Sequence, residues 1–226
     1  LTLEHGMCSI SIGTSGTVFI ATDEFAVDDD NAMHSFDHAN GKYHFLGCML
    51  SAASANKWWM DDIIRTKEYN KEQENIVKLG ENRVFFLPYL MGERTPHNNP
   101  NARGTFVGMT MDTTREDMTQ AVLEGVTFAL RDALEIARSF GVTITRVRLN
   151  GGGAKSKLWC EMVANIMNVK VDKINSEEGP GFGAAILAAV GCEKFNSVEE
   201  AASKLIKVVS TIEPEEELVR KYEEKY

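Results

Sequence analysis

The sequence has no excess of positive charge. It carries 24 Lys and Arg against 33 Asp and Glu, a formal net charge of −9 at pH 7. That balance excludes a broad nucleic-acid or anionic-membrane surface, because phosphate backbones need a basic patch. It leaves room for one small anionic ligand held by backbone amides. No apolar run approaches the ~20 residues of a membrane span, and the opening LTLEHGMCSISIG has no basic lead-in of a secretory signal. The four cysteines, Cys8, Cys48, Cys160 and Cys192, lie far apart in apolar settings with no C-x-x-C pair. They read as buried, reduced thiols of a cytoplasmic protein. No linker or low-complexity stretch divides the 226 residues, so residues 1–226 read as one domain with ample core. A strand begins almost at once, which is the expectation for a piece of a longer chain.

The stretch most suggestive of chemistry is Val147–Trp159, VRLNGGGAKSKLW. An apolar-alternating strand ending at Leu149 meets three glycines, and Ala154 to Asn168 then reads as a helix. Glycine lets a ligand approach the backbone, and a helix N-terminus behind it offers unpaired N–H groups to a phosphate. A strand–Gly–helix turn also serves simply to pack helix on sheet, and both readings stand. A second turn, Gly13-Thr14-Ser15-Gly16-Thr17, joins two alternating strands, Met7–Ile12 and Val18–Thr22. It is either a plain hairpin turn or a nest of N–H donors for phosphoryl oxygens.

The remaining segments supply scaffold. His34, Asp37 and His38 can be drawn as a metal cluster, but their segment reads as strand and loop, and solvated or hydrogen-bonded side chains are the simpler reading. Tyr43–Leu50 reads as a strand and Ser51–Arg65 as one helix with small residues first; Thr66–Asn82 reads as a solvated helix and loop. A loop stiffened by two prolines, Gly92–Gly104, holds Glu93, Arg94, His97 and Arg103, as functional loops often hold polar groups on a rigid frame. Thr113 and Glu116 form a capping box for a long amphipathic helix through Phe140. Lys170–Ile174 is a further strand, Ala184–Val190 an alanine-rich helix fit for close packing, and Glu215–Tyr226 a charged terminal helix. Strands thus precede helices in an α/β domain.

Taken in order, these motifs resemble the C-terminal half of a carbohydrate kinase of the FGGY family, most closely its xylulokinase branch. The resemblance rests on Ser11–Gly16 (SIGTSG), Phe86–Leu90 (FLPYL), Gly92–Pro100 (GERTPHNNP), Gly104–Met109 (GTFVGM), Asp117-Met118, Ala121–Gly125 (AVLEG), Gly151–Ala154 and Gly179–Ala185, across nearly all of the chain. It implies an RNase H-like, actin-like ATPase domain with a mixed sheet flanked by helices. It implies ATP and Mg²⁺ as cofactors, and D-xylulose, converted to D-xylulose 5-phosphate, as the sugar. Ribulokinase and gluconate kinase are the alternatives on substrate, and a non-catalytic actin-like scaffold or sugar sensor is the alternative in kind. By the same resemblance Gly13, Thr14 and Ser15 meet the β/γ-phosphates, while Gly152, Gly153, Ala154 and Lys157 line the adenosine side. Ala52 and Asn56 face the nucleotide from the opposite wall, and Arg94 and His97 shape the sugar side. No metal-ligating residue is carried over. The family's catalytic aspartate and its N-terminal sugar domain fall outside these residues, so the chain alone is expected to be an incompetent kinase. A homodimer stays an open option.

Overall fold

The computed structural model describes residues 2–30, 32–176 and 179–226. Strands β1 (Cys8–Ile12), β2 (Gly16–Thr22), β3 (His34–Asp37) and β4 (Tyr43–Met49) pair antiparallel as β3-β4-β2-β1. β7 (Arg146–Asn150) and β8 (Lys170–Ile174) extend the sheet in parallel from β1, and β9 (Val208–Ile212) closes the edge antiparallel to β8. Antiparallel neighbours need only tight turns, whereas the parallel pairs need helical crossovers. Those crossovers are α3 (Arg115–Ser139), leading to β7, and α4 (Lys157–Met167), between β7 and β8. β5 (Phe85–Leu87) and β6 (Thr105–Val107) form a separate two-stranded ribbon against α3.

Alternation decides which face is covered. Ile10, Ile12, Val18, Ile20, Phe45 and Met49 point to one side and are buried, together with α3 residues such as Leu123, Leu130 and Leu134 and α4 residues such as Met162 and Ile166. At Gly125 an added Cβ would stand 2.1 Å from the Phe86 carbonyl oxygen, so only glycine lets α3 lie this close to β5. No helix among the described residues is long and apolar enough to cross a membrane.

Several expectations are corrected. The capping box of α3 is Thr114 with Asp117, one residue later than read: Asp117 N donates to Thr114 Oγ1 at 3.2 Å and Thr114 N to Asp117 Oδ2 at 2.9 Å. The Thr113 hydroxyl instead accepts from Thr110 N at 2.8 Å, closing the preceding turn. The helix expected over Ser51–Arg65 is α1 (Ala53–Trp58) followed by a π turn over Trp59–Ile63. The wider turn accompanies Trp59 pointing its indole N–H at Thr119 on α3. The helix read from Ala154 starts later. Gly152–Lys155 form a 3₁₀ turn, and α4 begins after Ser156, whose hydroxyl caps Trp159 N at 3.1 Å.

The helix α5 (Pro180–Gly191), expected to be closely packed, buries only Ile186 and leaves Leu187 43% exposed. It rests on α6 (Val198–Leu205), and a Cβ added at Gly183 or Gly191 would meet nothing, so its small side chains face open space. The cysteines are free thiols; Cys8 and Cys160 are buried as expected, but Cys192, just beyond α5, is exposed. Among the described residues no three His, Cys, Asp or Glu side chains gather as a metal site. His34 instead pairs with Arg94, and His38 Nε2 meets the Thr2 carbonyl at 2.6 Å.

Candidate functional site

The hairpin between β1 and β2 is fixed from behind by α1. Ala53 N donates to Gly13 O at 2.7 Å, while Ala52 N, Ser54 N and Ser54 Oγ donate to Thr14 O at 3.1, 3.3 and 2.6 Å. The first amides of a helix have no partner within it, and here the hairpin's own carbonyls satisfy them. The α1 N-terminus therefore orients the turn and is not itself free for a ligand. Thr14 and Ser15 are left exposed at the tip.

The glycine run divides its labour. Gly151 has φ +85°, and a Cβ there would strike the Ile12 backbone at 2.7 Å; at Gly153 it would lie 2.5 Å from Ile12 Cγ2. These two glycines pack the run against the end of β1. Gly152 is different: a Cβ there meets nothing, and the residue faces a cavity.

That cavity has a volume of about 700 Å³. The Gly13-Thr14 turn, α1, the Gly152–Ser156 turn and Trp159 form three sides. The fourth is α2 (Tyr69–Glu74), through Tyr69, Asn70 and Gln73. Gln73 ties the two far walls together, its Oε1 accepting the Ser156 hydroxyl at 2.6 Å. Tyr69 donates to Asp61 at 2.8 Å, and burial, reinforced by that bond, pushes its phenol up to about 12. The Asp61 carboxyl, bonded by Lys57, Lys67 and Tyr69, is held well below the ordinary carboxylate range. Asn56 is buried on the α1 wall with its Oδ1 unpartnered. Buried polar atoms are normally hydrogen-bonded, and this acceptor is an exception.

Among the described residues the charged side chains lining the cavity are Lys57 and Lys155, and no Asp, Glu or His lines it. Such a lining can hold an anionic ligand with hydrogen-bonding groups, but among the described residues it offers no carboxylate or imidazole as a general base.

Of the residues expected at a site, Gly13, Thr14, Asn56, Gly152 and Gly153 line this one cavity. Ser15 stands at the exposed hairpin tip, and Ala52 is fully buried beneath it. Ala154 faces a second groove on the other side of the glycine run. Lys157 is not among the lining residues; its ammonium is solvated and 3.5 Å from Glu161. Arg94 and His97 lie outside the cavity, with Arg94 Nη2 2.8 Å from His34 Nε2 and His97 Nε2 2.9 Å from the Tyr89 hydroxyl. Lys57, Tyr69, Gln73, Lys155 and Trp159 were missed. For α2, a charged segment read as solvated, the sequence carries no signal, since its role follows from contacts across 83 residues, as between Gln73 and Ser156.

Comparison with known proteins bears on this geometry. Residues 8–192 match the model of the FGGY family of carbohydrate kinases, C-terminal domain. The chain is similar to a xylulose kinase of Staphylococcus epidermidis, 37% identical over 220 residues, 96% of this chain and 44% of that protein. It is 34% identical to a xylulose kinase of Bacillus subtilis over 223 residues, 97% of this chain and 45% of that one. A solved structure described as a xyloylose kinase from Brucella ovis superimposes with a TM-score of 0.90 at 36% identity, covering 99% of this chain and 46% of the other. The chain spans a little under half the length of these relatives.

Proposed function

Because the chain belongs to the FGGY family of carbohydrate kinases, matching its C-terminal domain, and has the actin-like ATPase fold, we propose that its 700 Å³ cavity holds ATP. In the longer protein it serves phosphoryl transfer to D-xylulose, giving D-xylulose 5-phosphate. The observation that carries the nucleotide reading is the cavity itself, walled by the Gly13-Thr14 turn, by Gly152 with no side chain in the way, and by Asn56, Lys57 and Lys155.

Each residue then has a part. Thr14 and Ser15 present backbone N–H groups and hydroxyls to the phosphates, on a turn that Gly13 closes by donating its own N–H to Ser15 O at 3.1 Å and that Ala52 and its neighbours hold in place. Gly152, Gly153 and Ala154 give the adenosine a side-chain-free wall, with Lys155 and Lys157 at its edge. Arg94 and His97 are assigned to the sugar side. Mg²⁺ bound by the phosphates supplies charge neutralisation when present; the hairpin offers amides and hydroxyls, which suit phosphate oxygens, and no carboxylate among the cavity residues competes for the metal.

Phosphoryl transfer also needs a group to take the sugar hydroxyl proton. Among the described residues no Asp, Glu or His lines the cavity, which supports assigning that base to a part of the longer protein outside these residues, and most sugar contacts to its N-terminal domain. The apolar, largely exposed α5 supports a second domain docking here, since a helix hydrophobic all round is normally covered. The enzyme is assigned to the cytoplasm.

Calorimetry of the 226-residue chain with Mg·ATP is the test. Half of a two-domain clamp binds weakly because contacts are lost and water is not excluded, so the expected dissociation constant lies at roughly 10 µM to 1 mM. Asn56→Ala should weaken it further. No heat of binding at millimolar nucleotide overturns the site assignment, and a sub-micromolar constant overturns the two-domain argument. A coupled assay of the full-length protein with D-xylulose, D-ribulose and D-gluconate decides the sugar.

A further inference from the structure

Glu93 is 2% exposed, a carboxylate inside the protein. Burying such a group is costly unless its hydrogen bonds are made. One oxygen, Oε1, accepts from Leu50 N at 2.9 Å and Arg94 N at 2.7 Å, while Oε2 has no partner. A carboxylate half satisfied in this way is a poor contributor to stability, and departures of this kind collect where function requires a group.

Its surroundings show what it holds. Glu93 and Asn99 exchange backbone bonds at 2.9 and 2.8 Å, closing the loop on itself. Two residues on, Thr95 stitches that loop to the end of β4: Thr95 N donates to Cys48 O at 2.9 Å and Cys48 N to Thr95 Oγ1 at 3.0 Å. The Glu93 carboxylate then reaches one step beyond the strand, to Leu50. Leu50 is followed by Ser51, whose hydroxyl is also buried and unpartnered, and then by Ala52, Ala53 and Ser54, whose amides grip the Gly13 and Thr14 carbonyls. One carboxylate therefore fixes the strand-to-helix joint that in turn fixes the hairpin.

We infer that Glu93 is a positioning residue for the phosphate side of the site: through Leu50 and the Ala52–Ser54 amides it sets the Gly13–Ser15 hairpin, without touching the ligand. This rests on the nucleotide reading for its consequence, but its structural half can be examined without nucleotide. A charge-assisted acceptor shared by two amides is stronger than a neutral one, which accounts for a carboxylate at this position.

The test uses the 226-residue chain with Glu93→Ala and Glu93→Gln, the glutamine keeping one oxygen able to accept both amides. Amide NMR spectra without ligand should show Gly13, Thr14 and Ser15 displaced in the alanine variant and near their original positions in the glutamine variant. Mg·ATP affinity should fall about tenfold in the alanine variant, the scale of one charge-assisted hydrogen bond, with AMP affinity unchanged because AMP lacks the β/γ-phosphates. Glutamine should restore most of the loss. A general loosening of the fold would weaken ATP and AMP alike, and that result overturns the inference. So do hairpin amides that stay in place in the ligand-free variant. If the alanine variant does not fold, Glu93→Asp, one methylene short of Leu50 N, carries the same comparison. Failure of the wild-type chain to bind Mg·ATP would count against the nucleotide reading, and the ligand-free spectra would still decide the coupling.

Discussion

Trp159 donates its indole N–H to the Thr127 hydroxyl at 3.0 Å, and eight residues earlier on α3 Thr119 accepts the Trp59 indole at the same distance. Both threonines pass their own proton to the carbonyl four residues back, Leu123 O and Arg115 O. Two of the three tryptophans are thus pinned to one helix by the same device, at a spacing of about two turns. Trp159 is both core and cavity wall, so α3, which does not line the cavity, still fixes its shape.

Thr127→Val keeps the shape and removes the acceptor, leaving a buried indole N–H unsatisfied. The expected loss of stability is roughly 1–3 kcal/mol, read as a lower midpoint in urea with unchanged slope. Thr127→Ser should recover most of it. A valine variant as stable as wild type would mean that the hydrogen bond is not what holds Trp159.

The glycine run predicts two opposite outcomes one residue apart. Gly153→Ala must displace Ile12, an overpacking that costs about 1–3 kcal/mol. Gly152→Ala meets nothing and should leave stability within about 0.5 kcal/mol, while weakening nucleotide by placing a methyl group in the cavity. Thermal unfolding and calorimetry of the pair separate the packing glycine from the ligand glycine.

How much of this was legible in the sequence follows from the range of the forces involved. The Gly13–Ser15 hairpin was readable because alternating strands and turn residues are local signals, and Ile12 does pair with Gly16 across it. Gly151–Gly153 was readable as a turn, but which glycine packs and which stays open depends on Ile12, roughly 140 residues away in sequence, on a strand that β7 joins only in the fold. The capping box slipped by one because two adjacent threonines offer the same hydroxyl, and only the Thr110 contact distinguishes them. Glu93 was visible as part of a polar loop; its burial was not, because it depends on the loop docking against β4.

Asp132 gives a pH-dependent outcome. It accepts the Tyr226 hydroxyl at 2.7 Å, and burial raises its carboxyl above the ordinary 3.8, opposed by that bond and by His97 and Arg131. A folded-state value above the unfolded one means that the fold prefers the neutral acid. Its contribution to stability is present below the unfolded value and lost as pH rises through the folded one. Asp132→Asn, which keeps the Oδ1 acceptor, should therefore gain on wild type as pH increases from about 3 to about 7. A melting-temperature difference that stays constant over that range would remove the carboxyl's burial as the cause.

The C-terminal helix α7 (Glu216–Lys225) carries the most severe prediction. Lys225 Nζ lies 2.6 Å from Glu124 Oε2, with the lysine side chain 10% exposed and the glutamate 2%, while the Tyr222 hydroxyl and Gln120 Nε2 both donate to Glu124 Oε1 at 2.9 and 2.7 Å. Removing one member of a buried pair strands the other charge. Lys225→Met should accordingly cost about 3–5 kcal/mol, whereas the double change Glu124→Gln with Lys225→Met, which removes both charges, should cost clearly less than the single one. The double-mutant cycle by urea unfolding checks this directly. If the two costs simply add, Glu124 and Lys225 are not coupled, and the helix is held to α3 by Tyr222 and the apolar contacts around it.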